Sequence, residues 1–431
     1  DTGEVSVFKG REIIWNPELA RDEAKQLLAH DVSAVIFNVQ VFAFPYLSSI
    51  AAKILEGVPI LVFCTQNPGF PGLGGLQASV NMIRQTGMSC HKLWGDVSSE
   101  DTKTKIMAFL RGAYAAMTLK GQVYGLIGGR SIGMGSGAVN PDLWMNKFGV
   151  DVDHVDQLDI IRRAEEVGDD QVEKAFKWLT ENIGSIKYDN QKLTEKTLRE
   201  QIRQYIATKD IINEKKLDFV GVKCHYELSE YYNTQCLGAA FINDPYDWDG
   251  PKEPVVFSCE ADSDGALTMQ ILKLVSGEPV LFMDFRFYDE KEDLLTLCNC
   301  GAMSTWYTAR SDNPSENLKH VNFHPVIKKY AGNGCHVGYI AKEGPMTLGR
   351  LTREMNSYKL SVFRGECVMQ PEEKLKESNP AWPHCFIKLA APFYTIMEDY
   401  DNNHIHAIYG DYVEELRQFC TLKGIDFELF E

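Results

Sequence analysis

"EPVVFSCEADSDGALTMQILKLVSGEPVLFMDFRFYDE", Glu253 to Glu290, is the stretch whose reading decides the fold of this chain. "PVVFSC" is an apolar run of the length of a buried strand. Leu267, Ile271, Leu274 and Val275 then recur at helical spacing, Gly277 stands where a helix would stop, and "PVLFMDF" is a second buried run. Strand, helix, strand predicts a crossover unit with both strands parallel. Glu260, just after the first strand, and Asp284, near the end of the second, would then meet at the carboxyl edge of one sheet. That edge is where α/β domains take their ligands.

An acid directly after or inside an apolar strand costs stability unless it is paired, exposed or bound to a metal. Asp284 interrupts Leu281, Phe282, Met283 and Phe285. A buried ion pair to Arg286 or Arg310 accounts for it, and so does a functional role. For Asp262 and Asp264, which precede the helix, capping is the better account.

Toward the N-terminus, "VSAVIFNVQVF" (Val32 to Phe42) and "GVPILVFC" (Gly57 to Cys64) flank the helical pattern "SSIAAKILE", a β-α-β unit of a parallel sheet. "GFPGLGG" (Gly69 to Gly75) follows as a tight loop at a strand end. "QVYGLIGG" (Gln122 to Gly129) starts the pattern again and places a domain boundary near residue 120. The following "RSIGMGSG" lacks the third glycine of a dinucleotide loop, since position 138 is Ala138, and a nicotinamide cofactor is rejected. Between Asp169 and Leu217 the charged periodic segments read as solvent-facing amphipathic helices. From about Asn313 short alternating strands separated by Gly, Pro and Asn predict an all-β end to the chain. The expected domains are residues 1–120 and 121–290, both α/β, and a β-rich 291–431.

The bulk numbers exclude several classes. A chain of 431 residues with 44% hydrophobic and 24% charged residues has the composition of a soluble globular protein. No apolar run approaches the roughly 18 residues that span a bilayer. Sixty acidic against 44 basic residues give a net charge of −16, which opposes a nucleic-acid backbone. Eleven cysteines, an odd number without C-x2-C pairs, read as free thiols in a reducing cytoplasm, with Cys298 and Cys300 as buried strand thiols. No secretory leader follows Asp1.

Late in the chain, "DYDNNHIHAIYGDY" (Asp399 to Tyr412) supplies His404 and His406, two residues apart and so on one face of a strand. Two carboxylates and one imidazole, with positions left for water or substrate oxygens, suit a divalent metal such as Mn2+. Spacing does not choose between the two histidines. Trp306, Tyr307 and Trp382 offer flat apolar faces to a ligand, although such residues more often fill a core.

"CEADSDGALTMQILKLVSG", "LFMDFR", "DPYDWDGPKEPVVF", "GGRSIGMGSGAVNPDLW" and "NNHIHAIYGDY" together resemble the L-fucose isomerase and L-arabinose isomerase superfamily, especially its shorter fucose-isomerase-like members. The resemblance runs from about residue 30 and is strongest between Glu260 and Asp284. It implies two Rossmann-like α/β domains followed by a β-barrel-like C-terminal domain. It also implies that Glu260 and Asp284 act as metal ligands and acid/base pair, with His404 the third ligand and Asn403 a substrate contact. Lys223, in "GVKCHYE", stands where the family has a sugar-contacting glutamine, a departure that bears on which sugar is taken. Trimers or hexamers are implied as well. The resulting expectation is a cytoplasmic, metal-dependent aldose-ketose isomerase working through an enediol. A non-catalytic sugar-binding protein and a metal-assisted hydrolase or lyase of a sugar derivative are the competing classes.

Overall fold

A computed structural model describes residues 5–431 of the chain, which divide into two compact units. In the first, the apolar run Ile60–Cys64 is buried at every position, as a parallel strand covered on both faces must be. Val35–Asn38 and His91–Trp94 pair with it in parallel, in chain order. Helices Tyr46–Ile54 and Gly72–Gln85 return the chain between strands, the latter burying Leu76, Val80 and Ile83. The unit comprises the chain up to Thr118 and, from far along the sequence, Glu414–Gly424. That late segment lies in helix Val413–Lys423 and packs on helix Glu100–Thr118. At Gly112 a Cβ would stand 2.7 Å from the carbonyl oxygen of Glu415, so only glycine allows the approach. Arg111 and Glu415 form an ion pair at 3.4 Å beside it.

The second unit, Leu119–Val413 with Ile425–Glu431, carries a four-stranded parallel sheet in the order Val256–Cys259, Phe219–Val222, Val123–Ile127, Asp151–Val155. Its strand order reverses between Val123–Ile127 and Phe219–Val222, which opens a crevice at their carboxyl ends. The helix Glu195–Lys215, expected to be solvent-facing, instead buries a full face that includes Leu198, Ile202 and Tyr205. Polar residues on that face hid it: buried Gln201 donates to the Thr234 carbonyl and accepts from the Cys335 amide. Once satisfied, such amides pack as readily as apolar residues.

Ser185–Ile186, Asn322–Pro325 and Cys335–Gly338 form a small separate sheet and Tyr246–Asp247 pairs with Gly250–Pro251, while six further strands close an antiparallel barrel. Gly344–Glu354, His404–Tyr409, Leu281–Asp289, Leu294–Cys298, His384–Leu389 and Ser357–Cys367 follow one another around it, and the last pairs again with the first. Asp426–Phe430 adds in parallel to Ser357–Cys367. The chain is therefore mixed α/β with parallel sheets and a C-terminal barrel. Among the described residues no helix is long and apolar enough to cross a membrane.

The crossover expected from the deciding stretch does not form. Val256–Cys259 enters the parallel sheet, but Leu281–Asp289 leaves it and runs antiparallel to Leu294–Cys298 and His404–Tyr409. The acidic turn after Asp289, whose carboxylate accepts from the Lys291 and Glu292 amides while Asp293 takes φ 47°, fixes the pairing of Leu281–Asp289 with Leu294–Cys298. A turn that tight makes a hairpin, and a hairpin pairs its strands antiparallel.

Helix Ser263–Ser276, capped by Asp262 and stopped by Gly277 at φ 74°, lies almost wholly buried against the barrel. Asp264 is carried inside with it, its Oδ1 accepting from the Tyr358 hydroxyl at 2.8 Å. Burial pushes its carboxyl up from 3.8 to about 6, against the opposing charges of Arg353 and Arg350. A folded-state value above the unfolded one means the folded protein holds the proton more tightly, so this stabilisation is complete below pH 3.8 and lost as pH rises through about 6. Asp264→Asn, which keeps an acceptor for Tyr358, is expected to flatten the fall in denaturation midpoint between pH 4 and pH 7. An unchanged pH slope would mean that Asp264 ionises as easily when folded as when unfolded.

Candidate active site

Glu260 and Ala261 join the sheet strand Val256–Cys259 to the buried helix, both in the left-handed region at φ 58° and 52°. Two successive non-glycine residues there cost on the order of 1–2 kcal/mol each, a strain that surrounding structure must hold. The Ala261 amide donates to the Val222 carbonyl at 3.1 Å, which pins the turn to the neighbouring strand. Glu260 is thereby presented at the sheet's carboxyl edge, its Oε1 3.1 Å from His225 Nε2. Burial alone would raise the Glu260 carboxyl, but the hydrogen bond and charge of His225 hold it below its usual range. His225 is correspondingly pushed up to about 9: burial opposes its charge, and Cys300 and Glu260 more than offset that.

The barrel supplies the rest. Antiparallel register sets Asp284 opposite His404 and Phe282 opposite His406, on the strand face away from the core residues Leu281, Met283, Ile405 and Ala407. His404 Nε2 stands 3.2 Å from Asp284 Oδ1, within charge attraction but without hydrogen-bond alignment. His404 Nδ1 lies 2.7 Å from Asp262 Oδ2. Arg350, fully buried, donates to both oxygens of Asp262, at 2.7 and 3.1 Å. Its Nη1 also lies 3.1 Å from His406 Nε2. Asp262 therefore caps the helix as expected and also orients a histidine. Gly265 makes room for this clamp, since a Cβ there would fall 2.7 Å from both Arg350 Nη1 and Asp262 Oδ2. Burial would depress His404, yet its hydrogen bond to Asp262 and the nearby charges of Asp284 and Asp262 raise it to about 9. For His406 burial and the Arg350 charge act together and hold it well below the imidazole range.

Each residue singled out from the sequence now has a place. Asp284 pairs with His404 rather than with Arg286 or Arg310; Arg310 lies over the Tyr409 ring instead. Asn403 is exposed, and its carbonyl accepts from the Phe285 amide. Lys223 Nζ is 2.8 Å from Glu227 Oε1, and both line a crevice of about 510 Å3 with Gly128, Gly129, His154 and Gln157. That crevice sits where the strand order reverses. Trp306, Tyr307 and Trp382 are buried; the Tyr307 hydroxyl donates to the carbonyls of Pro279 and Ala407.

Two residues at the site, His225 and Arg350, were not marked by any local pattern in the sequence. His225, Glu260 and Cys300 form a group whose ligand atoms lie within 4.8 Å of one another and that could hold a metal ion. Cys300 had been read as a buried strand thiol, yet it stands beyond the end of strand Leu294–Cys298. Arg350 stands in the alternating "TLGRLTRE", where nothing in the local pattern marks it as buried. Two donor sets thus share Glu260: one with His225 and Cys300, the other, drawn from the resemblance, with Asp284 and His404. The second has the donors of a hard-metal site, and its imidazole has an unbonded Nε2 with a carboxylate behind its Nδ1, the pattern that orients metal-ligating histidines.

Family models match most of the chain in three pieces. The first N-terminal domain of L-fucose isomerase matches residues 1–121, the second N-terminal domain 122–223, and the C-terminal domain 297–431. Glu260 and Asp284 lie between the second and third. Among curated relatives, a protein named L-fucose isomerase from Streptococcus pneumoniae (strain Hungary19A-6) is 23% identical over 444 residues, covering 84% of this chain and 74% of that protein. One of the same name from Bacteroides thetaiotaomicron is 25% identical over 443 residues, covering 82% and 74%.

Proposed function

From the membership of this chain in the L-fucose isomerase family, we propose that it is an aldose-ketose isomerase acting on a free sugar, with Glu260, Asp284 and His404 as the ligands of a divalent metal such as Mn2+. The observation that carries the reading is His404, buried and held by Asp262 from behind with its Nε2 turned to Asp284. A bound cation would polarise adjacent sugar oxygens and make the carbon-bound proton between them more acidic. The chain's own residues do the proton work. One carboxylate takes the proton from C2 of the aldose and the other returns one to C1, through an enediol, while the O2 hydroxyl proton passes to O1. His225, donating to Glu260, keeps that carboxylate ionised and ready to accept. Lys223, neutralised by Glu227 at the strand-order reversal, faces the substrate, and Asn403 contacts it from the barrel side.

Purified protein assayed with Mn2+ against pentoses, hexoses, 6-deoxyhexoses and anionic sugars should turn over a member of the panel, and in deuterated water the product should carry solvent deuterium at the transferred position. Lys223→Gln should shift preference within the same panel. Sugar binding without turnover would return the chain to the binding proteins. The active unit is proposed to be a cytoplasmic trimer or hexamer; a monomer by light scattering under assay conditions would remove that part.

A further inference from the structure

Beside the proposed hard-metal site lies a sulfur-rich pocket whose thiols the isomerisation reading does not use. Cys224, Cys236, Cys259 and Cys300 line a cavity of about 10 Å3, room for one water-sized occupant, together with His225, Asn299 and Tyr330. Asn299 is 2% exposed and its Nδ2 has no hydrogen-bond partner. At the rim, Cys300 Sγ is 3.9 Å from His225 Nε2, 3.9 Å from Glu260 Oε1 and 3.9 Å from Cys259 Sγ. His225 Nε2 and Glu260 Oε1 are 3.1 Å apart.

These separations are those of a tetrahedron's edges. Zinc bonded to nitrogen, oxygen and sulfur at its usual lengths puts nitrogen and oxygen about 3.4 Å apart and sulfur about 3.6 Å from either. The ring is also fixed as a ligand should be, with His225 Nδ1 3.0 Å from Ser229 Oγ. One thiol among the donors selects against Mn2+ or Mg2+ and for a thiophilic ion.

We propose that His225, Cys300 and Glu260 form a second metal site, specific for a thiophilic divalent cation such as Zn2+ or Cd2+, whose occupation inhibits the enzyme by claiming Glu260. Cys300 binds as thiolate and its proton passes to solvent. A fourth position is left for water; the unpartnered Asn299 amide lines the same cavity, and Cys259 Sγ lies 3.9 Å from Cys300 Sγ. The inhibition rests on the function proposed above; the site itself does not.

Cd2+ titrated into the purified full chain should produce one equivalent of thiolate-to-metal charge-transfer absorbance that Cys300→Ser abolishes and Cys298→Ser retains. Persistence of the band in Cys300→Ser, or no band in the parent chain, would overturn the site. Should Cys300→Ser fail to fold, X-ray absorption of the zinc-loaded parent decides: one sulfur with nitrogen and oxygen neighbours supports the site, and no sulfur refutes it. With Mn2+ present, equimolar Zn2+ should lower turnover at least tenfold in the parent chain and less than twofold, relative to its own rate, in Cys300→Ser. A band without inhibition would leave the site and remove its effect on Glu260. A chain that turns over no sugar yet shows the band would separate failure of the isomerase reading from failure of this one.

Discussion

Glu260→Gln is expected to lower kcat by about 10²- to 10⁴-fold, the range that a positioned general base supplies. The substitution keeps the side chain's length and its acceptor for His225, and the strained turn is held by the Ala261 amide rather than by the carboxylate. The melting temperature should therefore change little while turnover collapses. The amide removes a charged metal donor as well as the base, so bound Mn2+ measured by elemental analysis should fall too. A variant within tenfold of the parent rate would show that proton transfer runs through another group. Asp284 would be the first to test.

Arg350→Met should be the most damaging single change to stability, about 3–5 kcal/mol by denaturant unfolding. Arg350 and Asp262 are both fully buried and joined by two hydrogen bonds. Burial alone would raise Asp262, but the charge of Arg350 and the bond and charge of His404 hold it far below the ordinary 3.8. Its folded value is thus depressed, and its contribution is present above pH 3.8 and lost only as strong acid protonates it. Without the arginine a buried carboxylate faces His404 alone. Arg350→Met combined with Asp262→Leu should recover part of the stability, because the unpaired charge is gone, but not metal affinity, because His404 has lost the group behind it. A single variant within 1 kcal/mol of the parent would mean that water reaches and solvates Asp262.

Why some of this was legible in the sequence and some was not follows from what each signal depends on. Fully buried parallel strands such as Ile60–Cys64 announce themselves as unbroken apolar runs, and Glu260 was visible because an acid directly after such a run is conspicuous. The helix from Ser263 to Ser276 could be read from its period and its stops at Asp262 and Gly277. The pairing of Asp284 with His404 spans 120 residues of chain and is set by barrel register, which no local period encodes. Local pattern also misdirected the reading: two apolar runs around a helix look alike whether the second strand stays in the sheet or leaves it. His225 and Arg350 are single polar residues in ordinary-looking strands and loops. Their importance lies in what faces them.

The first unit is assembled from both sides of the second. Its sheet and helices are complete in sequence by Thr118, but the helix that closes over Gly112 and Phe109 begins at Val413, some 295 residues later. At ordinary rates of synthesis, 5–20 residues per second, the nascent sheet waits about 15–60 s with that face uncovered. The first unit's sheet thus leaves the ribosome well before the helix that completes it. Its exposed face during that interval is where chaperones would bind, and a ribosome stalled within the barrel would release a first unit that can never close.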